Sequence, residues 1–380
     1  MISSNGLSAK VIPVALGLGC IGLIAIGIGA IFDPPHALQS YLVAFVYWTG
    51  LSLGALGILL LQYVTGGEWG LVIRRIMEAA SLNLAIMAFF AIPILAFISY
   101  LYVWAVHPSI HVNAVYLNTQ FFAIRTLVYF AIWVALAWRL RRLSLLRDNE
   151  SYSGKGPETF SGLGLVLLVL TVSLSSVDWI MSLEPDWYST IFGVLVMVAQ
   201  GLAALSIGVV VLNTAAAGNS VPGEAYHDLG NLLLLFILLW GYMAFSQYLV
   251  VWSGNLPEET AWYLHRRVGG WPWIASALIL FHFAIPFFLL LFRSVKRKRQ
   301  RLYGVACGIL AVHFVDCYWL IMPTFRPDGP TLLWQDVAAM IGIGGIWIAA
   351  MVRGLDGAPF FARGSISAAS CAGVPAGDSQ

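Results

Sequence analysis

The residues of this chain best suited to chemistry are acids and histidines set in apolar sequence: Asp178, His282, His313 and Asp316. A carboxyl or imidazole in a low-dielectric setting can take up and pass on a proton. In hydrocarbon such a group is costly, so it needs either a function or a partner. Asp178 opens a turn, Asp178-Trp179-Ile180-Met181-Ser182-Leu183-Glu184-Pro185-Asp186-Trp187-Tyr188-Ser189-Thr190, between two long apolar runs. Arg125 on the preceding run lies about one turn deeper at roughly 1.5 Å per residue, so the two could form a pair. A structural ion pair and a tuned proton carrier are both open to them. His282 and His313 fall at similar depth, with Asp316 one turn from His313 on the same helix face, which suits a protonatable relay. Histidines hydrogen-bonded between helices are the plainer alternative, and a haem held between them is a third. Only one such histidine pair is present, too few for a cytochrome with two stacked b-type haems.

Polar groups elsewhere extend the set. Glu78 and His227-Asp228 occupy corresponding places in two halves of the chain and could admit protons; an acid favoured at a helix N-terminus is the ordinary account of Asp228. Ser246-Gln247-Tyr248 is a polar step in an apolar run, able to carry water or accept a hydroxyl; with His282 it is expected to line a quinone or polar cavity. Cys20, Cys307, Cys317 and Cys371 show no spacing suited to a metal or an iron–sulfur cluster. No phosphate loop, nucleotide motif or Ser/His/Asp order is present, so any redox centre is expected to belong to a partner.

The elements that must position these groups follow from composition. With 60% hydrophobic and only 10% charged residues, the chain is expected to have lipid rather than water as its main surroundings, with no nucleic-acid partner. A helix needs roughly 20 apolar residues to cross a bilayer. Ten stretches qualify, near 11–32, 39–64, 72–102, 117–140, 160–183, 188–213, 228–252, 270–292, 302–323 and 333–352. The first is too long for a signal-peptide core and is expected to be a mature helix. Basic residues fall mostly on one side of this arrangement, with only Arg266, Arg267 and Arg326 on the other, so both termini are expected to be cytoplasmic. The external connections then include Asp33-Pro34-Pro35-His36, the 103–116 loop with His107 and His111, and the Gly254–Gly269 loop; Trp104, Trp187, Trp262 and Trp271 read as interfacial anchors.

Internal similarity points to duplication. The second stretch overlays the sixth, Gly50 on Gly201 and Gly57 on Gly208, and the fifth overlays the ninth, Trp179 on Trp319 with an acid just upstream in each. The expected fold is an all-α polytopic membrane protein of ten transmembrane helices. It has two four-helix bundles (spans 2–5 and 6–9) plus one flanking helix at each end. By residue number this gives a flanking helix in 1–38, bundles in 39–183 and 184–324, a second flanking helix in 325–353 and a flexible cytoplasmic tail in 354–380. Pro93 and Pro286 are the deep helix breakers, and they do not fall in corresponding spans, which argues against a secondary transporter.

The Asp178–Thr190 turn, His227-Asp228-Leu229-Gly230, Phe245-Ser246-Gln247-Tyr248 and Gly254-Asn255-Leu256-Pro257-Glu258-Glu259-Thr260-Ala261-Trp262-Tyr263 together resemble the membrane subunits of bacterial alternative complex III. Those subunits are similar to the NrfD/PsrC membrane proteins, and by length this chain is similar to the smaller, ActF-type, subunit. The resemblance spans roughly residues 10–353. It implies a multi-pass subunit of a quinol:electron-acceptor oxidoreductase in the bacterial inner membrane. Such a subunit holds no redox centre, anchors the complex and contributes a proton path, with a quinol such as menaquinol as the ligand it could meet. The implied partners are an iron–sulfur protein, multi-haem c-type cytochromes, an ActC-like membrane subunit and small membrane subunits. Asp178 is the position carried over most directly, whereas the span 4 place suited to a quinone-binding histidine holds no histidine here, only Arg125. A structural scaffold without proton conduction is the alternative expectation.

Overall fold

The computed structural model describes residues 5–106, 115–147, 156–215 and 221–356. His107, His111, Lys155, Arg363 and the tail from 357 onward lie outside the described residues. Among the described residues there are helices and no strands. A backbone in hydrocarbon has no water to bond with, and the helix satisfies its N–H and C=O groups within one segment. Ten helical stretches are long and apolar enough to cross a membrane. They are Ser8–Phe32, Pro34–Thr65, Arg74–Ala96, Thr119–Arg147, Pro157–Leu183, Phe192–Ala215, Gly223–Gly254, Trp271–Leu291, Arg299–Thr324 and Trp334–Asp356, hereafter spans 1 to 10. Each overlaps one of the expected stretches, and the protein is an all-α polytopic membrane protein. Consecutive spans run antiparallel, giving a terminal face, where span 1 begins and span 10 ends, and a turn face, which carries the 184–191 connection.

Spans 2, 3, 4 and 5 pack in a ring in which span 5 closes back on span 2; spans 6, 7, 8 and 9 form a second ring that closes from span 9 to span 6. Spans 2 and 6 pack on one another and join the rings. This crossing is close because its side chains are small. A Cβ placed on Gly54 would lie 2.0 Å from the Gln200 carbonyl oxygen. Lipid tails give helices no hydrophobic reason to associate, so such close packing carries the association instead.

Spans 1 and 10 pair with each other and lie beside spans 2 and 3. The pair is antiparallel and as tight as the central crossing: a Cβ on Gly22 would meet the Gly342 backbone nitrogen at 2.5 Å, and one on Gly345 the Ala15 carbonyl oxygen at 2.4 Å. Indole donors fasten span 10 to the first ring, Trp48 Nε1 to the Met340 carbonyl at 3.1 Å and Trp347 Nε1 to Ser52 Oγ at 2.8 Å. Asn83 Nδ2 adds a bond to the Trp347 carbonyl at 2.9 Å.

Two spans are interrupted, and not in corresponding places of the rings. Span 3 is divided at Asn83 and again at Ala91, just before Pro93. Span 8 carries a π-helical stretch, Ile279–Ala284, ahead of Pro286. Pro286 has no N–H for the His282 carbonyl four residues earlier, and the wider π turn absorbs that loss. Two local expectations are corrected. Span 7 begins at Gly223, so His227 and Asp228 lie in its second turn, and the first-turn acid is Glu224, paired with Arg297 at 2.9 Å. The Gly254–Gly269 connection contains a helix, Pro257–His265, whose first turn holds Glu258 and Glu259.

The central crossing can be checked by substitution. Gly54→Leu is expected to destabilise the protein by at least the roughly 1–3 kcal/mol of an overpacked core, read as a lower unfolding midpoint by tryptophan fluorescence in detergent. Gly57→Ala, whose Cβ would sit 3.4 Å from Leu168 Cδ2, should leave the midpoint nearly unchanged.

Candidate functional site: arginine clamps and a buried histidine pair

Arg125 and Asp178 meet as their spacing predicts. Arg125 Nε donates to Asp178 Oδ2 at 2.9 Å and Nη2 to Oδ1 at 2.8 Å, and Tyr129 adds its hydroxyl to Oδ2 at 2.8 Å. The remaining amino group, Nη1, donates to the Tyr116 carbonyl at 2.8 Å, and the guanidinium lies 3.9 Å from the Tyr116 ring centroid. Asp178 is fully buried. Three donors fill its oxygens, two of them from a cation, so the pair is bound by charge-assisted bonds.

The turn that follows is tied down by a second cluster. Glu184 Oε1 accepts from Arg266 Nη1 at 2.8 Å and from Thr324 Oγ1 at 3.0 Å, while Glu184 Oε2 lies 2.9 Å from His265 Nδ1. Arg266 also donates to the Trp262 and Leu320 carbonyls at 3.0 and 2.9 Å and sits 3.5 Å over the Trp262 ring. Burial pushes its guanidinium down to about 10, with Glu184 opposing that shift, so it remains a cation at neutral pH. Trp187 stacks on Trp262 with centroids 4.8 Å apart and donates to the Glu259 carbonyl at 3.1 Å. The turn thus joins spans 5 and 6 to the Pro257–His265 helix and to the end of span 9.

A third cluster closes the turn face. Arg326 donates to both oxygens of Asp336, at 2.9 and 3.2 Å, and Ser40 Oγ donates to Asp336 Oδ1 at 2.6 Å. Spans 2, 9 and 10 meet there. On the terminal face, Glu78 Oε2 accepts from Arg75 at 2.7 Å and Arg141 at 2.5 Å, joining spans 3 and 4, and Arg141 reaches the Gly354 carbonyl at 3.4 Å. Sequence reasoning singled out Glu78 but not its arginines, and it missed the Glu184 and Asp336 clusters. The available signal was the scarcity of cations on the turn face, which made Arg266 and Arg326 conspicuous.

The second ring holds a different kind of site. His282 and His313 are buried, with ring centroids 6.3 Å apart and planes at 39°. His282 packs on the Trp240 ring at 4.4 Å, and His313 on the Tyr47 ring at 5.4 Å. Among the described residues neither ring nitrogen of His282 has a hydrogen-bond partner, and Nδ1 of His313 has none either; His313 Nε2 lies 3.8 Å from Cys317 Sγ. Asp316 is buried too; its Oδ2 is 4.0 Å from His313 Nδ1, and the Trp240 indole lies beside it. No arginine or lysine pairs with it among the described residues.

The other expected groups lie apart from this centre. His227 hydrogen-bonds Asn231 at 3.3 Å, and Asn231 accepts from Lys296 Nζ at 2.7 Å, near the terminal face. Asp228 is half exposed, 3.8 Å from His227. Ser246, Gln247 and Tyr248 lie about 10 Å beyond Trp240 along span 7, at roughly 1.5 Å per residue. Gln247 is buried beside Tyr263, and Tyr248 is exposed. Among the described residues no three His, Cys, Asp or Glu side chains gather as a metal site. No protein-family model matches this chain, and no curated protein matches it. The geometry of its own side chains therefore carries the functional reading.

The clamps make a stability prediction. Asp178→Asn leaves Arg125 buried without its counter-ion and is expected to cost about 3–5 kcal/mol, whereas Arg125→Met with Asp178→Leu should recover most of that loss. Denaturant unfolding in micelles reads both.

Proposed function

We propose that this chain is a membrane subunit of a quinol:electron-acceptor oxidoreductase, which anchors the assembly and moves protons through its second ring. The observation that carries the proton role is the unmatched Asp316, buried beside two histidines with three unpartnered ring nitrogens. Buried polar groups in native proteins nearly always have partners, so three orphaned nitrogens at one place mark a place for water or exchangeable protons. The quinol context rests on the resemblance of the Asp178–Thr190 turn and the span 7 segments.

The route would begin at the terminal face, where Lys296, Asn231 and His227 form a short polar chain. From Asn231 to Trp240 the helix rises about 13 Å, a gap that ordered water must fill. A proton on Asp316 would pass to His313 Nδ1 and on to His282, leaving the carboxylate ready for the next proton. Gln247 and Tyr263 would carry it toward Glu184 and His265 on the turn face. In this reading the first ring is the anchor. Its ionisable groups, Asp178 with Arg125 and Glu78 with Arg75 and Arg141, are held as fixed ion pairs and do not conduct. His282 is sealed from lipid, so a quinol would meet another part of the assembly or the outer surface of this chain.

The whole assembly, purified through a tag on this chain and placed in vesicles, tests the proposal. It should bring haem c absorbance and iron–sulfur signals with it. Asp316→Asn and His313→Gln should keep quinol oxidation and lose most of the proton release, with a smaller loss of stability than Asp178→Asn. Full proton release from both variants would leave the chain a scaffold, and purification without any redox-active partner would remove the quinol context.

A further inference from the structure

A groove of about 540 Å³ runs along the outside of spans 8 and 9 on the terminal half of the protein. Its walls are apolar, with Phe281, Ile285 and Leu289 on one side and Gly304 and Gly308 on the other. A Cβ on either glycine would meet nothing within 4 Å, so the groove is open where these residues lie. From Arg301 at its mouth to Val312 at its inner end, the groove follows residues 301 to 312 of span 9, eleven steps or about 16 Å of helix. That length is close to half of the roughly 30 Å hydrocarbon core. The groove is therefore as deep as one leaflet.

The connection at the mouth carries charge of one sign. The chain bends at Phe292 and again at Lys298, with a single helical turn, Arg293–Lys296, between them. Six cations, Arg293, Lys296, Arg297, Lys298, Arg299 and Arg301, gather in this short connection, and no Asp or Glu occurs between Glu259 and Asp316. Three of the six are engaged within the protein: Lys296 with Asn231, Arg297 with Glu224 and Arg299 with Asn213. Arg293, Lys298 and Arg301 are exposed and have no ion pair among the described residues. An apolar slot of leaflet depth beneath unpaired cations matches one kind of molecule, a lipid with an anionic headgroup.

We propose that this groove binds an anionic phospholipid, with one acyl chain along Gly304 and Gly308 and the phosphate on Arg301, supported by Arg293 and Lys298. The site is separate from the histidine pair and stands whether or not that pair conducts protons. Lipid in the groove would pack spans 8 and 9 together from outside.

The test uses the full chain, delipidated in a neutral detergent, and titrated with phosphatidylglycerol or phosphatidylcholine of identical acyl chains while bound lipid is counted by native mass spectrometry. Phosphatidylglycerol should bind more tightly and raise the unfolding midpoint more. Arg301→Gln, a surface change that should leave folding intact, should weaken phosphatidylglycerol by about fivefold and leave phosphatidylcholine unaffected. Gly308→Leu fills the slot and should weaken both lipids. Equal retention of the two lipids by the unmodified protein would overturn the proposal, as would unchanged phosphatidylglycerol binding in Gly308→Leu. So would displacement of the lipid by decylubiquinone with the Arg301→Gln affinity unchanged, which would make the groove a quinone-tail site.

Discussion

A carboxylate among packed membrane helices has no water to stabilise its charge, and it persists there only if the protein supplies the counter-charge and the hydrogen bonds. That constraint sorts the inward-facing acids of this protein. Glu78 is held by Arg75 and Arg141, Asp178 by Arg125, Glu184 by Arg266 and Asp336 by Arg326. The clamps tie separate spans together, Arg141 to Glu78, Arg125 to Asp178 and Arg266 to Glu184, with Ser40 adding span 2 to the Arg326–Asp336 pair, and three of them stand on the turn face, where cations are otherwise scarce. Among the described residues Asp316 is the buried acid without an arginine; His313 and Trp240 lie beside it, and His282 packs on both of them. The same physics that makes the clamps structural makes this site able to change its charge.

The two rings use one plan for two ends. In each, the last pair of spans carries the polar centre: Arg125 with Asp178 between spans 4 and 5, and His282 with His313 and Asp316 between spans 8 and 9. The first centre is filled by charge-assisted bonds, and removing one member strands the other. The second is underfilled, and its π turn ahead of Pro286 is the kind of helix defect found where a side chain must be placed for a purpose. One ring is thus suited to hold its shape while the other exchanges protons.

Much of this was legible in the sequence. All ten spans lie where apolar length places them, because in hydrocarbon length and hydropathy leave the backbone one choice. The Arg125–Asp178 pair and the His282–His313 pair follow from depth alone. Other features depend on azimuth, which depth does not give. In the overlay of spans 5 and 9, Trp179 falls on Trp319, so Asp178 falls on Tyr318, two residues past Asp316. Two residues are more than half a turn at about 3.6 residues per turn, so the two acids face different neighbours despite similar depth. The pairing of spans 1 and 10 was hidden because it depends on which glycines of two distant helices meet. Glu184 was passed over because it stands in a connection and its partner, Arg266, comes from another that only the folded chain brings near; Asp336, in the first turn of span 10, is met by Arg326 only because the short segment between them folds back.

Whether the second ring holds water is the point on which the functional account turns. The most direct measurement is a density map of the assembled protein fine enough to resolve ordered water inside the helices. The account predicts water within hydrogen-bonding distance of His282 and of His313 Nδ1, reaching toward Asn231 on one side and Gln247 on the other, with none around Asp178. A dry histidine pair, packed against Trp240 and Tyr47 with no density between Asn231 and Trp240, would contradict it and leave the chain as an anchor alone.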